Sequence, residues 1–117
     1  MAGMKAGKAG RESEMLFKNS IQGGRIEVFS SEEGWTLSEG SGDRSYWKRL
    51  VFEREFMHAP FVTVSLSGLD ASKDSNLRLV LGPHNITPFG FDMEIRTWAD
   101  TTINYVALTW MAYEIVE

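Results

Sequence analysis

Residues 61–67 read FVTVSLS. Val62, Val64 and Leu66 point one way along an extended chain, and Thr63, Ser65 and Ser67 point the other. Strict alternation of this kind marks a strand with one face in a core and one in water. The same period recurs on both sides. In GRIEVFS (24–30), Ile26 and Val28 share a face; in WKRLVFE (47–53), Leu50 and Phe52 do. NLRLVLG (76–82) sets Leu77, Leu79 and Leu81 inward and Arg78 outward, and GFDMEIRTW (90–98) sets Phe91, Met93 and Ile95 inward. A last strand is expected over 103–116, INYVALTWMAYEIV. Between these runs lie SEGSGDRS (38–45), GLDASKDSN (68–76) and PHNITPFG (83–90). They are rich in Gly, Pro, Asn, Asp and Ser, whose side chains or fixed φ favour turns. The expected fold class is all-β, a six-stranded antiparallel β-sandwich.

The final strand departs from the alternation. Ile103, Tyr105, Ala107 and Met111 fall on one face, and Val106, Leu108, Trp110 and Ala112 on the other. A strand apolar on both faces needs two covers, and a two-sheet sandwich supplies one. The second is expected to be another subunit, or else a wrapped loop or the residue 15–22 segment.

The chain has 117 residues, which bounds it to one domain. Residues 1–14, MAGMKAGKAGRESE, differ in composition and read as a flexible arm, a linker or a tag remnant, with the folded domain at 15–117. Residues 13–22 could hold a short helix or an extended lead-in strand. Fourteen residues are aromatic: seven Phe, four Trp and three Tyr. So many rings must fill a core, line an interface or stack on a ligand. The net charge of −4 gives no global drive toward nucleic acid or anionic membrane, and no apolar run is long enough for membrane insertion as a helix. Without cysteine there is no disulfide framework, thiolate metal centre or cysteine nucleophile. His58 and His84 stand outside any H-E-x-x-H, so no metal site is expected. G-x-S-x-G, Walker A and G-x-G-x-x-G are absent, and no cofactor is expected. Nothing marks a buried carboxylate pair, so the chain does not read as an enzyme. Asn85-Ile86-Thr87 fits a glycosylation sequon but reads better as a turn between Pro83 and Pro88.

The residues left over are polar groups beside an exposed ring. Trp98 ends its strand on the outward parity, with Asp92, Glu94 and Arg96. Arg78 also faces out, and the two could meet on one rim. A guanidinium fork, a nearby carboxylate and an aromatic platform are the parts that hold a sugar. An ordinary Arg–Asp surface pair beside a scattered Trp reads equally well from chemistry alone.

The segments WTLS (35–38), FVTVSLSGLD (61–70), SNLRLVL (75–81), NITPFGFDMEIRTWADTTI (85–103) and VALTWMA (106–112), taken in order, resemble the H-type lectin domain. The resemblance covers about residues 20–115. It implies a trimer whose sugar sites lie between subunits, with galactose or N-acetylgalactosamine as ligand. Arg78 matches the family arginine and Trp98 the platform tryptophan. Asp43 answers to the aspartate of the first long loop, and Ser41 stands where a backbone contact is made. This sequence departs from the snail members at three kinds of position. Ala99 stands where a His follows the Trp. Asn104 replaces an aromatic, with Tyr105 beside it on the opposite face. Val28, Met57 and Ile95 occupy cysteine positions, so the fold must stand on packing. The resemblance therefore implies either a multivalent sugar binder or, with Ala99 and Asn104 in place of the imidazole and the ring, a structural trimerisation or adhesion module. The latter would belong to a bacterial or phage surface assembly and lack working sites, which would put the chain at a cell or virion surface.

Overall fold

A computed structural model describes residues 21–115. The 1–14 arm and most of the 13–22 segment lie outside them. Six strands follow in order: β1 (Ile21–Phe29), β2 (Arg44–Val51), β3 (Phe61–Ala71), β4 (Val80–Thr87), β5 (Gly90–Thr97) and β6 (Ile103–Tyr113). They form two three-stranded sheets, β1-β6-β3 and β2-β5-β4, and every pairing is antiparallel. The all-β sandwich expected from the alternation is the fold.

The inward residues of both sheets make one core. Phe91, Met93 and Ile95 of β5 face Val106, Leu108 and Ala112 of β6, all essentially without solvent exposure. Val28, at a family cysteine position, is buried here, and so is Ile95. Met57, the third such position, is 58% exposed, so packing takes over at two of the three. The loops add as much as the strands. Leu37 and Phe56 are buried, and Trp35 packs in the core while its indole Nε1 donates to the Ile103 carbonyl at 2.9 Å. That bond satisfies the one polar atom of a buried indole. Tyr46 is buried beside Trp35, and its hydroxyl donates to Glu32 at 2.9 Å. Burial first, and then Glu32, pushes the phenol up to about 12.

Three local expectations need correction. The fourth strand runs over Val80–Thr87 and not 76–82, so most of PHNITPFG is strand and the turn is the pair Pro88-Phe89. Asn85 takes a left-handed φ of 51° where the β4–β5 register shifts between His84 and Thr87, and this bulge lets a turn-rich sequence stay in the ladder. Leu77, outside the strand, is 55% exposed. In β3 a bulge between Leu66 and Gly68 resets the register, leaving Leu66 45% exposed while Leu69 and Ala71 pack on the core. In β6, Tyr105 pairs with Asp70 but Ile103 with Ala71. Asn104 is the extra residue, and it moves Ile103 from the expected outer face into the core.

The outer face of β1-β6-β3 is less polar than a solvated sheet face. Ile21, Phe29, Phe61 and Met111 are exposed there, Phe61 stacks on Tyr113, and Phe29 lies against Tyr105. The Tyr105 hydroxyl donates to Glu27 at 2.5 Å and, with Arg25, holds that carboxyl below its ordinary value.

A candidate sugar site at the loop end

Arg78, Trp98, Asp43, Ser41 and Asn104 all fall at one end of the sandwich. Three segments meet there: 38–44 leading into β2, 76–79 before β4, and 97–104 running from the last residue of β5 into the start of β6. The 97–104 segment binds the other two together.

Two buried threonines fix Arg78. Thr97 Oγ1 donates to the Arg78 carbonyl and Thr101 Oγ1 to the Asn76 carbonyl, each at 2.5 Å. Thr101 also accepts from Arg78 Nη1 at 3.1 Å, so its hydroxyl is used as both donor and acceptor. Arg78 Nη1 donates to Asp100 Oδ1 at 2.9 Å. The arginine side chain is only 25% exposed, and not the freely outward group of the strand reading. Both bonds leave from Nη1. The guanidinium carries three more N–H donors on Nη2 and Nε.

The first long loop is tied down by Arg44. Its Nη2 donates to the Ala99 and Thr101 carbonyls at 3.0 and 2.7 Å, its Nη1 to Glu39 at 2.9 Å, and its Nε to Gly42 at 3.0 Å. Gly42 N–H adds a bond to the Ala99 carbonyl at 2.9 Å. Gly40 and Gly42 have φ of 81° and 83°, a backbone other residues avoid, and Ser41 is presented between them, exposed. Ala99 itself sits at φ 58°. Its carbonyl accepts two donors, which offsets the cost of a left-handed alanine.

Trp98 is half-buried, with the Arg96 guanidinium 5.6 Å from its ring centroid. Asp43 is exposed and approaches Arg96 at 3.8 Å, a distance of weak attraction in water. The structure thus pairs Asp43 with Arg96 and Arg78 with Asp100, and brings no direct Asp43–Arg78 contact. Asn104 is exposed in its bulge, and its carbonyl accepts from Ser30 N–H at 3.0 Å. Tyr105 turns away to Glu27.

Sequence reading missed Asp100, Thr97, Thr101 and Arg44. Thr97 did carry a signal: a hydroxyl on the inward parity of β5 needs an acceptor. Arg44 carried none, since two of its four acceptors, the Ala99 and Thr101 carbonyls, lie 55 and 57 positions away.

A family model described as the H-type lectin domain matches residues 47–113. A Fuscovulum blasticum protein described as "ATP synthase subunits region ORF 7" is 38% identical over 91 residues, 78% of this chain and 79% of its own length. Discoidin-2 of Dictyostelium discoideum is 30% identical over 95 residues, 76% of this chain. The chain spans 35% of discoidin-2's length. The solved structure of recombinant discoidin II superposes with a TM-score of 0.74 at 27% identity, covering 84% of this chain and 38% of its own. A Pseudomonas phage tailspike shares the fold, with a TM-score of 0.50 at 15% identity, over 79% of this chain and 15% of its own. With a matching domain model over more than half its length, and with strand order, core and loop-end site described above, the chain belongs to the H-type lectin domain family.

Proposed function

We propose that this chain is a carbohydrate-binding module and not an enzyme, taking galactose or N-acetylgalactosamine at the loop end. The observation that carries the reading is Arg78. It is held by two buried threonines and Asp100, with donors to spare, at the same end of the sandwich as Trp98. A fixed guanidinium can bridge sugar hydroxyls with little loss of side-chain freedom on binding. Trp98 supplies the apolar face for the sugar ring. Asp43 supplies acceptors, and the glycine-flanked backbone at Ser41 a further contact. Asn104, at the rim, stands where a ring would narrow the choice of ligand.

The site lies between subunits of a homotrimer in this reading. The Arg78 of one subunit and the Trp98 of its neighbour hold opposite sides of one sugar. The exposed Ile21, Phe29, Phe61 and Met111 on the outer face of β1-β6-β3 support assembly. They answer the doubly apolar β6 sequence, whose second face wants a cover. One shallow site would bind at ~1 mM, and several on one assembly would raise avidity by ~10²–10⁴ on a dense glycan surface.

Titration with galactose and N-acetylgalactosamine, run beside sedimentation, tests this. The wild-type chain is expected to sediment as a trimer at micromolar concentration and to bind. Arg78→Ala should keep the thermal transition and lose binding. A glycan array that stays blank for a wild-type trimer would leave the second reading, a structural or adhesion module without working sites.

A further inference from the structure

The outward face of β5 continues from Trp98 as Arg96, Glu94 and Asp92, and the middle of this line is built unlike a solvated surface. Across the sheet, Glu94 stands between Trp47 of β2 and Gly82 of β4. Trp47 is 50% exposed in mid-strand, where it fills no core. His84 reaches over from β4. Its ring lies 5.1 Å from the Trp47 ring, edge to face, and its Nε2 is 3.0 Å from Glu94 Oε1. Ser45 donates to Glu94 Oε2 at 2.6 Å. The Glu94 side chain is therefore only 15% exposed although it sits on the outer face. Gly82 adds no side chain, and the His84 ring uses that space, its Nε2 3.5 Å from where a Cβ at Gly82 would stand.

These contacts hold Glu94 and His84 in place and set the His84 ring against Trp47 before any ligand arrives. Preset rotamers reduce the entropy cost of binding. The cluster offers an aromatic face, an imidazole with a second nitrogen, and a neighbouring guanidinium from Arg96. That set matches hydroxyls over an apolar ring face, the same chemistry as the loop end. Trp98 lies four positions from Glu94, about 13 Å along a chain rising ~3.3 Å per residue, and more than one sugar ring fits that length.

We infer that the ligand is an oligosaccharide, its terminal residue at Trp98 and its inner residues laid along the outward face of β5 to a second platform at Trp47. This inference rests on the sugar reading of the loop end.

Calorimetric titration with galactose, N-acetylgalactosamine, and tri- and tetrasaccharides ending in each tests it. The longer glycans are expected to bind about tenfold tighter than the monosaccharides. Trp47→Ala should weaken the longer glycans by about threefold to tenfold, the range one aromatic contact supplies, and leave the monosaccharide Kd unchanged. His84→Ala should act in the same direction. Thermal melts check that both variants are folded. Equal affinity for short and long glycans, or an unchanged oligosaccharide Kd in folded Trp47→Ala, would overturn the track while the loop-end site stands. If neither mono- nor oligosaccharide binds the wild type, the sugar reading fails and the track falls with it.

Discussion

Replacing Arg44 by lysine keeps the charge and removes the fork. Four carbonyl acceptors, on Glu39, Gly42, Ala99 and Thr101, converge on one guanidinium at 2.7–3.0 Å. A lysine ammonium at the end of its stem reaches one of them, or two, because it is a point charge and not a planar array. Each lost bond is worth about 0.5–1.5 kcal/mol net, and those on the exposed side fall at the low end. Arg44→Lys should thus lower unfolding stability by about 2 kcal/mol. For a domain of this size that is roughly 8 °C in Tm. Urea and thermal unfolding at one fixed protomer concentration measure it, since assembly makes Tm concentration-dependent. The same change frees the Ala99 carbonyl, so the left-handed turn that carries Trp98 loses one of its two anchors. Sugar affinity should drop several-fold while Arg78 stays in place. If stability changes by less than about 0.5 kcal/mol and the sugar Kd does not move, the Arg44 clasp does not order the site and the reasoning is wrong.

Two further outcomes are expected. Glu114 keeps a carboxylate only 8% exposed by accepting from the Met57 and His58 N–H groups at 2.8 and 3.0 Å, tying the end of β6 to the β2–β3 loop. Glu114→Ala should cost about 2–3 kcal/mol in chemical denaturation, since it leaves two backbone donors without their partner; a neutral result would mean that the loop re-pairs with water. Glu32 is held below its ordinary 4.5 by hydrogen bonds from Lys48 and then Tyr46. A carboxyl whose folded value is depressed contributes stability above its unfolded value and loses it as the folded value is passed on the way down. Tm should therefore decline as pH falls below about 4.5, and Glu32→Gln should flatten that decline; an unchanged slope would assign it to other carboxylates.

Alternation in FVTVSLS and GFDMEIRTW was enough for the sandwich. One inward face per strand admits few arrangements, and the side chains of Phe91, Met93 and Ile95 sit where parity put them. Parity failed wherever a bulge inserted a residue. Asn104 in β6 and the Leu66–Gly68 shift in β3 each reverse the side-chain faces beyond them; Gly68 marks the second, and nothing in the local composition marks the first. PHNITPFG misled for the opposite reason: turn-forming residues can stay in a ladder if one of them, Asn85, absorbs the kink.

The sequence alone determined the class of fold and the inward face of β5, and it singled out the two residues, Arg78 and Trp98, on which a sugar reading turns. Those follow from short-range periodicity and from an ordered series of segments. Tertiary structure decided the partners. Asp100 and not Asp43 meets Arg78, Thr97 and Thr101 pin its segment, and Arg44 gathers carbonyls from residues up to 57 positions away. A hydrogen bond depends on where two atoms end up in space, and chain spacing fixes that only for near neighbours. The sheet face shared by Trp47, His84 and Glu94 is the same case, three strands contributing one residue each to a cluster that no segment contains.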